Sequence, residues 1–128
     1  MIKKGFIEIK NSQVLAGLMQ HKFHPKLTKI ICWLADNHGM VMTESFRAAR
    51  HPGDVHSTDP VRAVDIRSRC YDGDLAGNIR DEINARWQYD PGRPRMQCAI
   101  IHDVGMGHPF SYPGASQHCR ACPCLSLH

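Results

Sequence analysis

"PKLTKIICWLADNHGMVMTES", residues 25–45, is the stretch on which the fold turns. Leu27, Ile30, Ile31, Leu34 and Ala35 recur at the spacing that gathers apolar side chains on one stripe of an α-helix. The pattern predicts a helix from Pro25 to His38, with Gly39 as its C-terminal stop. Met40 to Ser45 then reads as a short strand. A helix that runs directly into a strand needs a sheet to receive the strand and a helical layer to cover it.

The segments that follow supply both. Residues 46–60, "FRAARHPGDVHSTDP", form a polar loop rich in Gly, Pro and Asp and unusually rich in side chains able to hold a metal. Val61 to Ser68 has strand composition. Leu75, Ile79, Ile83 and Trp87 mark a second amphipathic helix from Leu75 to Trp87, which "YDPGRP" breaks. Met96 to Val104 predicts a third strand, more continuously apolar and therefore expected at the centre of the sheet. The fold class expected is α+β: a small, largely antiparallel sheet with flanking helices. Beyond Val104 the apolar register dissolves into Gly, Pro, Ser, His and Cys.

Composition narrows the function classes. A chain of 128 residues holds one compact domain with a real core. No run approaches the roughly 20 consecutive apolar residues of a membrane span, and "MIKKGFIEIKNSQ" contains no apolar stretch of signal-peptide length. The expectation is a protein with no membrane insertion and no export signal. A net charge of +4 favours polyanions, yet Lys and Arg are scattered and no RNA-type aromatic motif accompanies them, so nucleic acid is not an expected partner. Cys32, Cys70 and Cys98 stand singly in the body, which fits free buried thiols in a reducing compartment. Cys119, Cys122 and Cys124 crowd into the last ten residues as C-x-x-C-x-C, without a second pair at finger-like distance.

The chemistry concentrates in residues 44–68, "ESFRAARHPGDVHSTDPVRAVDIRS". A strand ends at Ser45-Phe46-Arg47, a loop presents His56, and the next strand presents Asp65. This order resembles the zinc D-alanyl-D-alanine peptidases, the family of D,D-carboxypeptidases, D,D-dipeptidases, phage L-alanyl-D-glutamate endolysins and the hedgehog signalling fold. The resemblance covers roughly Val41 to Gly107. It implies a hedgehog/D,D-peptidase-like fold over residues 1–107, Zn2+ as cofactor, and His56 and Asp65 as two metal ligands. It further implies Asp103, in "IIHDVG", as the acid/base and Arg47 as the partner of the oxyanion. Such a site uses three protein ligands and an open position, where zinc lowers the pKa of water to roughly 7. The family commonly reads H-x-x-G-x-A-x-D; here two more residues separate His56 from Asp65, and the internal Gly is absent. His51 is a rival loop ligand at a still longer distance, and Glu44 carries no assigned task. Arg47 has Glu44 and Asp54 as alternative partners.

The family's third ligand is the second His of an H-x-H pair on the strand after the acid/base, and this chain contains no H-x-H. Back-translation offers a reason. Moving the frame forward by one base from the Gly107 codon permits G-T-H-F-H-I-Q-V-H-P-N over eleven successive positions, with the ligand His falling at Ser111. On this reading residues 108–128 are an out-of-frame, disordered tail, and the chain as written is an impaired enzyme. His108 is then the substitute ligand closest to the vacant position. The resemblance implies peptidoglycan stem peptides as the substrate. A small phage or prophage product is expected, made in the bacterial cytoplasm and reaching the wall after lysis. The alternative is a non-catalytic structural or wall-binding relative of the same fold.

Overall fold

A computed structural model describes residues 2–103 and 123–128. The order is β1 (Ile7–Ile9), α1 (Ser12–Gln20), α2 (Pro25–His38), β2 (Met40–Glu44), β3 (Val64–Arg67), a short 3-10 turn (Ser68–Cys70), α3 (Leu75–Arg86), β4 (Ala99–Asp103) and β5 (Pro123–Leu127). The fold is α+β. Among the described residues, three helices accompany one five-stranded mixed sheet in the order β1-β2-β3-β5-β4. β1 and β2 run parallel, and the other three pairings are antiparallel.

The predicted helix α2 has the expected bounds, and its stripe is the reason. Leu27, Ile30, Leu34 and Ala35 are buried against Met40, Met42, Val64 and Ile66 of the sheet. The His24 ring accepts the Lys26 N–H at the first turn. Gly39 closes the last turn, donating its N–H to the carbonyls of Leu34 and Ala35. Its φ is +75°, and a Cβ there would stand 2.3 Å from the Lys3 carbonyl oxygen. Both the backbone angle and the close approach require glycine. Gly39→Ala is therefore expected to lower stability by about 2 kcal/mol or more, measured as a lower urea midpoint.

Three expectations need correction. The tail read as disordered over residues 108–128 instead supplies β5 at residues 123–127, with Leu125 and Leu127 fully buried. β5 lies between β3 and β4, pairing with both. Consequently β4, expected at the centre for its apolar run, stands at the edge of the sheet among the described residues. Its apolar content is used against α3, where Asn84 also clamps the strand: its side-chain amide donates to the Ala99 carbonyl and accepts the Ala99 N–H, both at 2.9 Å. The thiols differ as well: Cys98 is buried, Cys70 is half-buried and Cys32 is exposed, and all three are free.

Register assigns the two faces of the sheet. Met42, Ile66 and Leu125 align across three strands, and Val64 aligns with Leu127; these face the helices. Side chains alternate along a strand, so Asp65 and Ser126, paired with each other, lie on the opposite face. That face carries the polar residues.

Candidate metal centre

β2 should bring Thr43 to Asp65's face by simple alternation. Instead the register slips: Met42 pairs with Ile66, but Glu44 pairs with Asp65. The extra residue is a β-bulge, which bends a strand and re-aims the side chain beyond it. Thr43 is left donating its hydroxyl to the Asp65 carbonyl at 3.2 Å. Glu44 thereby joins Asp65.

The loop after β2 delivers the third group. Phe46 stacks on His21 with ring centroids 3.6 Å apart, and the Ser45 hydroxyl donates to the Val14 carbonyl at 2.9 Å, so the start of the loop is pinned to α1. Gly17 makes this possible, since a Cβ there would lie 2.2 Å from Ser45 Oγ. Asp54 organises the rest. Its buried carboxylate accepts the backbone N–H groups of Arg50 and His56, each at 3.1 Å. Burial opposes its charge, but these hydrogen bonds and Arg47 outweigh it and hold its pKa below the ordinary value.

His56 emerges buried and oriented. Its Nδ1 lies 3.1 Å from the Ser45 carbonyl, a contact that requires Nδ1 to carry the proton and donate. Nε2 then faces Asp65 Oδ1 at 3.5 Å with its lone pair available. Metal-ligating histidines are held in this way, one ring nitrogen donating to a carbonyl while the other binds. Glu44, His56 and Asp65 each offer a ligand atom, and the three atoms lie within 4.8 Å of one another. Zinc bonds of about 2.0–2.2 Å span at most roughly 4.4 Å between two donors, so the set needs to draw in only slightly. Two carboxylates and an imidazole are a suitable donor set for a divalent ion.

Arg47 sits among these acids. Its Nη1 is 2.5 Å from Glu44 Oε2 and 3.7 Å from Asp65 Oδ2, and its Nη2 is 3.5 Å from Asp54 Oδ2. The alternative partners read from sequence are thus both engaged. Arg47 Nε is buried without a hydrogen-bond partner among the described residues. The guanidinium acts as the counter-ion to the carboxylates that would otherwise hold a cation.

Ser126 completes the surroundings, donating from Oγ to Asp65 Oδ1 at 2.7 Å. Burial raises the cost of charge on Asp65, yet His56 and Ser126 more than compensate and hold its pKa well below the carboxylate range. Burial likewise opposes protonation of His56, but Asp65 prevails and raises the His56 pKa above its ordinary 6.5. A proton bound at Nε2 competes with a metal at the same atom. Affinity for a divalent cation is therefore expected to weaken as pH falls through the raised His56 pKa, by about tenfold per pH unit below it. Titration calorimetry between about pH 5 and pH 8 checks this.

Of the residues expected from sequence, Arg47, His56 and Asp65 converge. His51 does not: its ring is exposed and lies against the Pro52 carbonyl. Asp103 ends β4, with β5 intervening between that strand and β3, and lies three residues past Ile100, which is level with Asp65. Its side chain and the whole of His108 lie outside the described residues, as does Ser111. Sequence reasoning missed Ser126, and it saw Glu44 and Asp54 only as partners of Arg47, not Glu44 beside the histidine and Asp65 or Asp54 as the organiser of the loop. Comparison with family models, with curated proteins and with solved structures finds no match in any of the three.

Proposed function

We propose that the chain is a zinc-dependent peptidase of the hedgehog/D,D-peptidase type, acting on peptidoglycan stem peptides, with Glu44, His56 and Asp65 as the metal-holding residues. One observation carries the reading: a buried histidine with its Nδ1 on a backbone carbonyl turns its Nε2 toward two carboxylates at the polar face of the sheet. The sequence resemblance supplies zinc and the substrate class. β5, the next described strand after β4, lies beside β3 and brings the Ser126 hydroxyl to Asp65. Glu44 takes over the missing position.

Bound zinc would supply Lewis acidity, polarising the scissile carbonyl and activating water. The chain's own groups do the rest. The Ser45 carbonyl fixes the His56 ring and Asp54 its backbone, Ser126 orients the Asp65 carboxylate, and Arg47 places a charged donor where the oxyanion develops. The resemblance assigns proton transfer to Asp103. Arg47 also neutralises Glu44 and Asp65 in the metal-free chain, so its removal has two effects of opposite sign. Arg47→Gln is expected to tighten zinc binding while lowering kcat by about 100-fold to 1,000-fold.

The decisive experiment incubates purified full-length protein, with one equivalent of zinc, with purified peptidoglycan. Release of new amino termini or D-amino acids, lost on adding a chelator, is the expected result. Zinc binding without any release would instead mark a non-catalytic wall-binding relative.

A further inference from the structure

Cationic residues occur throughout the chain, but lysine does not. All six lysines lie between Lys3 and Lys29, and Glu8 is the one acidic residue in residues 1–35. The same region holds most of the exposed apolar surface. Of the large apolar side chains left exposed among the described residues, Phe6, Ile7, Leu15 and Met19 fall here, and Met96 alone lies elsewhere. Neither the core nor the metal cluster uses these four.

Their placement follows from β1 and α1. Ile7 pairs with the buried Met40, but β1 has no strand beyond it among the described residues, and Ile7 is 44% exposed. The chain turns through Lys10 and Asn11 into α1, which packs against β1 and β2. Val14 and Gly17 take the inner side of that helix, while Leu15 and Met19, one turn apart, are 46% and 77% exposed. The margin of the sheet and the outer side of α1 therefore adjoin. Ammonium groups accompany them: Lys3 Nζ stands 5.7 Å over the ring of Phe6, Lys4 is exposed next to Lys3, and Lys10 lies between β1 and α1. None of these three lysines makes an ion pair among the described residues.

Few partners suit exposed apolar side chains set among unpaired ammonium groups. A second copy of the same face is repelled by its own lysines, and a soluble polyanion satisfies the lysines alone. A layer of anionic phospholipid meets both needs. Its phosphates take the ammonium groups, and the apolar side chains enter the boundary between headgroups and acyl chains while the lysine stems lie along it. We infer that β1 and α1 form a peripheral docking surface for anionic phospholipid bilayers. Attachment is by adsorption, since no helix among the described residues is long and apolar enough to cross a membrane. The inference does not depend on the peptidase reading.

The test is flotation of the purified full-length protein with vesicles, comparing phosphatidylcholine alone with an equal mixture of phosphatidylcholine and phosphatidylglycerol. Partition onto the mixed vesicles is expected to be at least about tenfold stronger. Lys3→Gln and Lys4→Gln together should weaken it by about 25-fold, since each lysine near such a surface contributes about fivefold. Phe6→Ser with Met19→Ser should weaken it by about tenfold or more, and Phe6→Trp should retain it. All of these residues are exposed, and unchanged melting curves check that the fold is kept. Equal partition onto both kinds of vesicle overturns the inference. So does a loss confined to the lysine pair, which would mark a site for soluble polyanions, or to the apolar pair, which would mark an uncharged partner. Zinc titration of the Phe6→Ser, Met19→Ser protein, expected to match wild type, keeps this outcome separate from that of the metal centre.

Discussion

Leu125→Ala and Leu127→Ala are each expected to destabilise the protein by about 2–5 kcal/mol, and the double variant to leave little folded population at room temperature. Both side chains are fully buried, in the strand that joins β3 to β4. Truncation removes their apolar contacts and leaves cavities beside Val64, Ile66 and Ala99, their register partners and neighbours. A domain's whole stability is about 5–15 kcal/mol, so two such losses approach the full margin. Ser126→Ala, between them, is a control that spares the core while removing only the hydroxyl on Asp65. Equilibrium urea unfolding followed by tryptophan fluorescence measures all of these. A tail that took no part in the fold would leave the midpoints of both leucine variants unmoved.

His56→Ala and Asp65→Ala are expected to weaken zinc binding by more than about 100-fold, since even partners that merely orient a ligand are worth about 10–100-fold. The two differ in what they leave behind. His56→Ala removes the nitrogen donor and frees the Ser45 carbonyl, whereas Asp65→Ala strips Ser126 of its acceptor and Arg47 of one of its ion-pair partners. The stability cost of Asp65→Ala should therefore be larger. Glu44→Gln separates ligand from other roles: loss of zinc affinity comparable with the other two identifies Glu44 as the third ligand. Retained affinity in Glu44→Gln would return the third position to a residue beyond Asp103. Calorimetry with each variant, alongside a melting curve, reads both quantities.

Local pattern was enough for α2, because five apolar residues on one stripe and a terminal glycine all agree. It also served for β2, β3 and α3, whereas Arg47, His56 and Asp65 were singled out by the resemblance to a peptidase family and not by local pattern. Glu44 was not legible. Its place depends on a bulge, and alternation along "MVMTE" puts Thr43 where Glu44 pairs. β5 was hidden differently: Leu125 and Leu127 alternate about Ser126, but this period-two signal is short and follows a long stretch without pattern. β1 and α1 also escaped notice, although Asn11 is a plain N-cap whose side chain accepts the Val14 N–H. Strand order is a long-range property, so the apolar run of β4 suggested a central place that β5 takes.

The amide of Asn84 has a meaning beyond joining α3 to β4. A strand on the outer margin of a sheet ordinarily offers unpaired donors and acceptors to any passing chain. At Ala99 both are already taken by one side chain that mimics a neighbouring backbone. The opposite margin, β1, is only three residues long. Among the described residues, each margin thus offers a shortened edge to another chain, β4 by the closed position at Ala99 and β1 by its length.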